Sequence, residues 1–138
     1  MITIKKQEIV KLEDVLHLYQ AVGWTNYTHQ PEMLEQALSH SLAIYVALDG
    51  DAVVGLIRLV GDGFSSVFVQ DLIVLPSYQR QGIGRSLMKE ALEDYKDAYQ
   101  VQLVTEQTER TLGFYRSMGF EILSTYNCIG MTWLNREK

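Results

Sequence analysis

A long strand that runs directly into an amphipathic helix decides the fold class of this sequence. Residues 66–75 are mostly apolar, and Pro76 ends the strand because proline has no N–H to donate to a neighbouring strand. Residues 82–95 then place apolar side chains on one helical stripe, namely Ile83, Leu87, Met88, Ala91, Leu92 and Tyr95. A strand followed by a helix predicts a βα unit and a partly parallel sheet.

The remaining segments extend this unit to an α/β domain. Residues 43–48 and 52–60 are apolar, β-branched runs separated by the turn sequence Asp49-Gly50-Asp51, which predicts a hairpin. Further helices are predicted over 12–22, from Pro31 to about residue 39 and from Thr108 to Gly119, with a loop over 23–30. Further strands are predicted at Ile2, over 101–104 and twice within 120–133.

These elements predict a single domain over residues 1–138. We expect a mixed sheet of about seven strands, antiparallel in its N-terminal part and with a parallel central strand pair, flanked by about four helices. The C-terminal strand edge carries Trp133, and an exposed edge of this kind is compatible with a homodimer.

Charge and cysteine content restrict the classes of partner. The 138 residues include 12 Lys and Arg against 17 Asp and Glu, a formal net charge of −5 without a basic run, so no nucleic-acid partner is predicted. No apolar run approaches the ~20 residues of a membrane-spanning helix, and the start of the chain does not resemble a signal peptide. We therefore expect a cytoplasmic protein without a membrane partner. His17, His29 and His40 share no metal-ligand spacing and Cys128 is the one cysteine, so no metal site is predicted.

The loop between the long strand and its helix is the strongest functional signal. Gly82 and Gly84 allow the backbone to approach a ligand closely, and the amides that begin a helix favour an anion such as a pyrophosphate. No Lys-Ser or Lys-Thr follows the glycines, as a P-loop requires, and Leu87 stands where a dinucleotide fingerprint has its third glycine. Taken alone, the loop is equally consistent with a turn that binds nothing.

The residues around the loop identify a family. The spacing Val-x-Pro-x-x-Gln-x-x-Gly-x-Gly is formed here by Val74, Pro76, Gln79, Gly82 and Gly84. It resembles the acyl-CoA-binding signature of the GNAT superfamily of acyl-CoA-dependent N-acetyltransferases. Residues 112–120 resemble a second signature of that superfamily, an aromatic-Tyr-x-x-x-Gly-Phe pattern that includes Tyr115. The two motifs stand in the superfamily's order, and the resemblance covers most of the chain.

The resemblance implies that acetyl-CoA is the acyl donor and indicates the residues that hold it. Loop amides hold the CoA pyrophosphate in the family, which implies a cradle formed by Gln79, Arg80, Gln81, Gly82, Ile83, Gly84, Arg85 and Ser86. The preceding strand gives main-chain groups to the pantetheine arm, here from Leu72, Ile73 and Val74. The chain departs from the family at Thr108 and Thr111, where the family often has Asn and Ala.

Acetyl transfer to an amine requires a proton donor for the departing thiolate and a base for the amine. The resemblance implies Tyr115 as the acid, and the alternative is a packing role on its helix. Asp71 lies in an otherwise apolar strand, so its carboxylate is either the base or the partner of Arg58 in an ion pair. Glu106 is the second candidate for the base.

The resemblance implies that the loop between the first two helices forms the acceptor pocket. Trp24 and Tyr27 there join aromatic faces to hydrogen-bonding groups, although Trp24 is equally suited to anchor the core. Arg58 is a candidate for binding a substrate carboxylate, unless it only pairs with Asp71.

The predicted function is therefore direct acetyl transfer from acetyl-CoA to a primary amine of a small molecule or peptide. The alternatives are a catalytically silent acyl-CoA-binding sensor or interaction domain, and an α/β scaffold without a ligand.

Overall fold

The computed structural model describes residues 1–134, and the chain divides into two compact units, Met1–Val104 and Thr105–Lys138. The first unit contains β1 (Ile2–Gln7), α1 (Leu12–Ala21), α2 (Thr25–Thr28), α3 (Pro31–Ser39), β2 (Ala43–Asp49), β3 (Ala52–Gly61), β4 (Val67–Val74), α4 (Ile83–Asp94) and β5 (Val101–Leu103). The second unit contains α5 (Glu109–Ser117) and a 3-10 helix at Leu123–Tyr126. The single domain expected over the whole chain stays a prediction.

The strands of the first unit form one mixed sheet in the order β1-β2-β3-β4-β5. The first four strands pair antiparallel to their neighbours, and β4 pairs parallel to β5. Gly50 adopts a left-handed φ of 62° in the hairpin between β2 and β3, which explains why glycine follows Asp49 there. The α/β class, the antiparallel N-terminal part and the parallel strand pair are confirmed.

The number of elements differs from the expectation of about seven strands and four helices. Among residues 1–134 there are five strands and five α-helices. The predicted loop 23–30 contains the short helix α2, in which the amides of Tyr27 and Thr28 both bond to the carbonyl of Trp24. The two strands expected within 120–133 are wrong, because a 3-10 turn ends at Asn127 in the left-handed region and the following apolar residues have no strand partner in the described part of the chain.

Helices pack on both faces of the sheet. The helices α1 to α3 cover one face, where the buried side chains are Val15, Leu18, Tyr19, Tyr27, Leu34, Leu38, Ile44, Val46, Leu56 and Ile73. On the other face α4 approaches β3 so closely that a Cβ at Gly55 would lie 3.3 Å from the side chain of Leu87. Each fully buried Leu contributes about 1.5–3 kcal/mol. Helices on both faces explain why consecutive residues, rather than alternate ones, are buried in the middle of β2 and β3.

A β-bulge interrupts the pairing of β3 with β4. Arg58 pairs with Asp71 and Leu59 pairs with Val69, so Gln70 is one extra residue in β4. Because Arg58 and Leu59 are consecutive and point to opposite faces, their partners Asp71 and Val69 also point to opposite faces. The bulge therefore turns Asp71 towards the face that α1 covers.

None of the helices in residues 1–134 has the length and apolar character needed to cross a bilayer.

Candidate active site

The strands β4 and β5 run side by side only at their beginning. Their pairing covers Val67–Val69 on β4 and ends where Val69 meets Leu103. Further along, Leu72, Ile73 and Val74 pair with β3 on one side, and the described residues provide no strand on the other. Main-chain groups on that edge are therefore available to a ligand, and the binding role of these three residues stays a prediction.

The loop after β4 leads directly to the start of α4. Arg80 and Gly82 both adopt left-handed conformations, with φ of 64° and 82°, and α4 begins at Ile83 without a side-chain cap on its first amides. The hydroxyl of Ser86 instead donates to the carbonyl of Gly82 at 3.0 Å. Uncapped amides at the positive end of a helix dipole form a site for an anionic group. The predicted cradle thus lies beside the edge of Leu72 to Val74.

Two side chains fasten this loop to the sheet. The Gln79 amide donates to the carbonyl of Val74 at 3.1 Å, and the Tyr78 hydroxyl donates to the Asp49 carboxylate at 2.6 Å. Gln79 therefore ties the loop to the end of β4 by its side chain. The contact between Tyr78 and Asp49 could not be predicted from the sequence, because nothing in the spacing of the motif indicates a partner on β2.

Asp71 is the centre of a buried hydrogen-bond network. Its carboxylate is 2% exposed, and it receives hydrogen bonds from Arg58 Nε at 2.7 Å, from the Tyr19 hydroxyl at 2.8 Å and from the Tyr27 hydroxyl at 3.0 Å. The ion pair with Arg58 that the sequence offered as one alternative is formed. The base role of Asp71 stays a prediction. Tyr19 was not identified from the sequence, since its position on the predicted first helix gives no sign of the carboxylate.

Arg58 is bound at each of its side-chain nitrogens. Besides the bond to Asp71, one terminal nitrogen donates to Ser41 Oγ at 3.3 Å and the other to the Tyr27 hydroxyl at 3.2 Å. Burial lowers the pKa of Arg58, but the charge and hydrogen bond of Asp71 raise it by more, so Arg58 stays charged. A substrate carboxylate would therefore have to share Arg58 with these partners, and its role in substrate binding stays a prediction.

The aromatic residues predicted for the acceptor loop lie against this network. The rings of Tyr19 and Tyr27 are 5.1 Å apart, and Trp24 lies 6.1 Å from Tyr19 and 6.2 Å from Tyr27. Burial and the charge of Asp71 raise the pKa values of both phenols, so both stay protonated at neutral pH. Trp24 is half-buried and packs on the core, while part of its ring faces solvent.

The second unit contains the predicted acid. Tyr115 lies on α5, with ring centroids 5.0 Å from Phe114 and 5.9 Å from Phe120. Burial raises the pKa of Tyr115, and a hydrogen bond with Thr105 opposes that shift. Thr108, where the sequence predicts that this helix begins, is its N-cap, because Thr108 Oγ1 accepts a hydrogen bond from the Thr111 amide at 3.2 Å. Glu106, the second candidate for the base, is exposed.

Comparison with known proteins decides the family. The model of the acetyltransferase (GNAT) domain matches residues 40–122, a range that contains both sequence motifs. The chain belongs to the GNAT acetyltransferase family. The resemblance found in the sequence is therefore confirmed.

Individual GNAT proteins agree with this assignment. A solved GNAT-family acetyltransferase from Streptococcus pneumoniae TIGR4 is 84% identical, with a TM-score of 0.92 and 99% of each chain covered. The GCN5-related N-acetyltransferase 1, chloroplastic, of Arabidopsis thaliana is 27% identical over 95% of this chain and 66% of its own length. The PaiA N-acetyltransferase of Thermoplasma acidophilum, solved in complex with coenzyme A, shares the fold at 19% identity, with a TM-score of 0.68 and coverage of 87% of this chain and 91% of its own. The chain spans about half to two thirds of the length of the first curated relatives it matches.

The Tyr19 hydroxyl donates to Asp71 in the buried network, and a single substitution removes it. Tyr19→Phe is expected to lower the free energy of unfolding by about 1–3 kcal/mol, because the buried Asp71 carboxylate loses one donor and nothing replaces it. The free energy is measured by urea denaturation at neutral pH. Tyr99→Phe is the matched control, since Tyr99 is 84% exposed, and it should change stability by less than about 0.5 kcal/mol. Equal stabilities of the two variants would contradict a stabilising role for the Tyr19 hydroxyl.

Proposed function

We propose that the protein is an acetyl-CoA-dependent N-acetyltransferase that acts by direct transfer to a primary amine of a small molecule or peptide. The separation of β4 from β5 after Val69, next to the uncapped start of α4, is the observation that carries this proposal. One side of that opening offers main-chain groups of a strand, and its end offers amides suited to an anion. An acyl-CoA has both an amide-containing arm and a pyrophosphate.

The donor site follows from this geometry. Leu72, Ile73 and Val74 would bond to the pantetheine arm, and residues 79–86 would hold the pyrophosphate. Acetyl-CoA supplies the activated thioester from which the acetyl group is transferred. A coenzyme A complex of a protein that shares this fold supports the same assignment.

Two side chains of the protein carry out the proton transfers of the reaction. The amine nitrogen forms a bond to the carbonyl carbon as the C–S bond breaks, so one proton leaves nitrogen and one reaches sulfur. Tyr115 donates the proton to sulfur, and an amide of β4 at Val74 or a neighbour donates to the carbonyl oxygen. Asp71 is the base. In the described residues its Oδ1 atom accepts from the Tyr27 hydroxyl alone, whereas Oδ2 accepts from both Arg58 and Tyr19, so Oδ1 is the oxygen that takes the proton of the amine.

The acceptor site is proposed on the first unit. Trp24 and Tyr27 provide the aromatic contacts, and Arg58 contributes through its hydrogen bond to the Tyr27 hydroxyl. The net charge of −5 favours the approach of a cationic amine over that of an anion. The cytoplasmic location and the homodimer stay predictions.

Two measurements test the function in sequence. Coenzyme A at 100 times its Kd should stabilise the protein by about 2.7 kcal/mol, seen as a higher Tm, whereas pantetheine should stabilise it much less because it has no pyrophosphate. Thiol release from acetyl-CoA is then measured with a panel of primary amines that includes spermidine, 2-phenylethylamine and a lysine peptide.

Each result has a distinct meaning. A Tm unchanged by millimolar coenzyme A would reject the donor site and favour the scaffold without a ligand. Stabilisation by coenzyme A without thiol release for any amine would reject the enzyme and support the catalytically silent acyl-CoA-binding domain. Release with at least one amine, accompanied by an acetylated product of the expected mass, supports the transferase.

A further inference from the structure

Gln70 is an unusual residue for its place in the sheet. It lies in β4, an interior strand between β3 and β5, and yet it is the one exposed position of that strand. An interior strand is normally covered on both faces by helices. Here an uncharged polar side chain is exposed at the point where β4 and β5 have just separated, one residue after Val69.

The β-bulge brings Gln70 and Asp71 to the same partner. The Tyr27 hydroxyl donates to Asp71 Oδ1 at 3.0 Å and receives a hydrogen bond from Gln70 Nε2 at 3.4 Å. In a regular strand, consecutive residues point to opposite faces and do not share a contact of this kind. The extra residue of the bulge is therefore what turns Gln70 towards α2.

The buried network holds Tyr27, and Tyr27 orients the Gln70 amide. Arg58 Nη2 donates to the same hydroxyl at 3.2 Å, which leaves Tyr27 fixed by three neighbours. Within residues 1–134, the carbonyl oxygen and the second N–H of the Gln70 amide have no protein partner. The charges of Arg58 and Asp71 neutralise each other. The exposed polar group at this point is therefore the Gln70 amide, which is a neutral donor and acceptor.

We propose that Gln70 binds the acceptor through its side-chain amide, which the Tyr27 hydroxyl holds in place. This inference rests on the proposed function, because it places Gln70 where the amine would meet the acetyl group. An amide that offers both a donor and an acceptor fits an acceptor with a neutral hydrogen-bonding group, a carbonyl or hydroxyl, near its amine. Gln70 then selects the acceptor and leaves the donor site unchanged.

The test is the kinetics of Gln70→Ala with glycinamide, a primary amine that carries a carbonyl next to its nitrogen, as the acceptor. The KM for that amine should rise about tenfold, which equals about 1.4 kcal/mol, while kcat changes less than twofold. The Kd for coenzyme A and the Tm should match those of wild-type protein, because the side chain is exposed and lies outside the loop that holds the pyrophosphate. Gln100→Ala is the control, since Gln100 is also exposed and directly precedes β5.

The outcomes separate this inference from the proposed function. A wild-type protein that acetylates no amine would overturn both. An active wild-type protein and a Gln70→Ala variant with unchanged amine KM would overturn only the role of Gln70. A rise in amine KM shared equally by Gln100→Ala, or a parallel loss of coenzyme A affinity, would also overturn it.

Discussion

Replacing Tyr115 by Phe is expected to lower kcat at least 100-fold without changing the Kd for coenzyme A. A general acid typically contributes 10²–10⁴-fold to a rate. Phenylalanine removes the hydroxyl, and with it both the proton that Tyr115 would give to sulfur and the hydrogen bond with Thr105. The ring contacts with Phe114 and Phe120 stay in place, so α5 should keep its packing. Steady-state thiol release gives kcat, and isothermal titration with coenzyme A gives the Kd.

The pH profile provides a second readout for Tyr115. Burial raises its pKa above the ordinary value of 10.0, and an acid is protonated below its pKa. The wild-type enzyme should therefore keep its proton donor throughout the neutral and mildly basic range, and any loss of rate due to Tyr115 should come at a higher pH than the titration of an ordinary tyrosine. Tyr126→Phe is the control in the same unit, because Tyr126 is 65% exposed. A kcat within twofold of wild type for Tyr115→Phe would leave this residue a packing role only.

Local patterns were sufficient to predict most of the first unit. The continuous apolar runs of β2 and β3 reflect burial on both faces of the sheet, and the apolar stripe of α4 reflects burial of one helix face. The C-terminal strands were wrong because a strand also needs a partner. The alternating Ile129, Met131 and Trp133 satisfy the pattern, but in the described residues they are exposed and unpaired.

The two parts of the candidate site, the loop after β4 and the buried network around Asp71, also differed in how far they could be predicted from the sequence. The loop at residues 79–86 is local, so its glycines and its position between strand and helix could be found directly. The network around Asp71 joins residues that are far apart in sequence, since Tyr19 and Tyr27 precede Asp71 by 52 and 44 positions. The bulge at Gln70 depends on one extra residue in the pairing of β4 with β3, and this register cannot be predicted from the residue types alone. Sequence therefore indicated the carboxylate and Arg58 but could not choose between base and ion pair.

Replacing Gly84 by Glu is expected to weaken coenzyme A binding at least a thousandfold while the fold survives. Gly84 lies in the first turn of α4, where a glutamate side chain would occupy the anion site and repel the pyrophosphate. The same carboxylate interacts favourably with the helix dipole, and Glu is a better helix former than Gly, so Tm in the absence of ligand should not fall. Isothermal titration and the coenzyme A-dependent Tm measure the loss. Gly130→Glu introduces the same charge at an exposed glycine whose surroundings are open, and it should bind like wild type. A variant that is destabilised would show a lower Tm in the absence of ligand. Intact coenzyme A affinity in a stable Gly84→Glu protein would therefore mean that the pyrophosphate binds elsewhere.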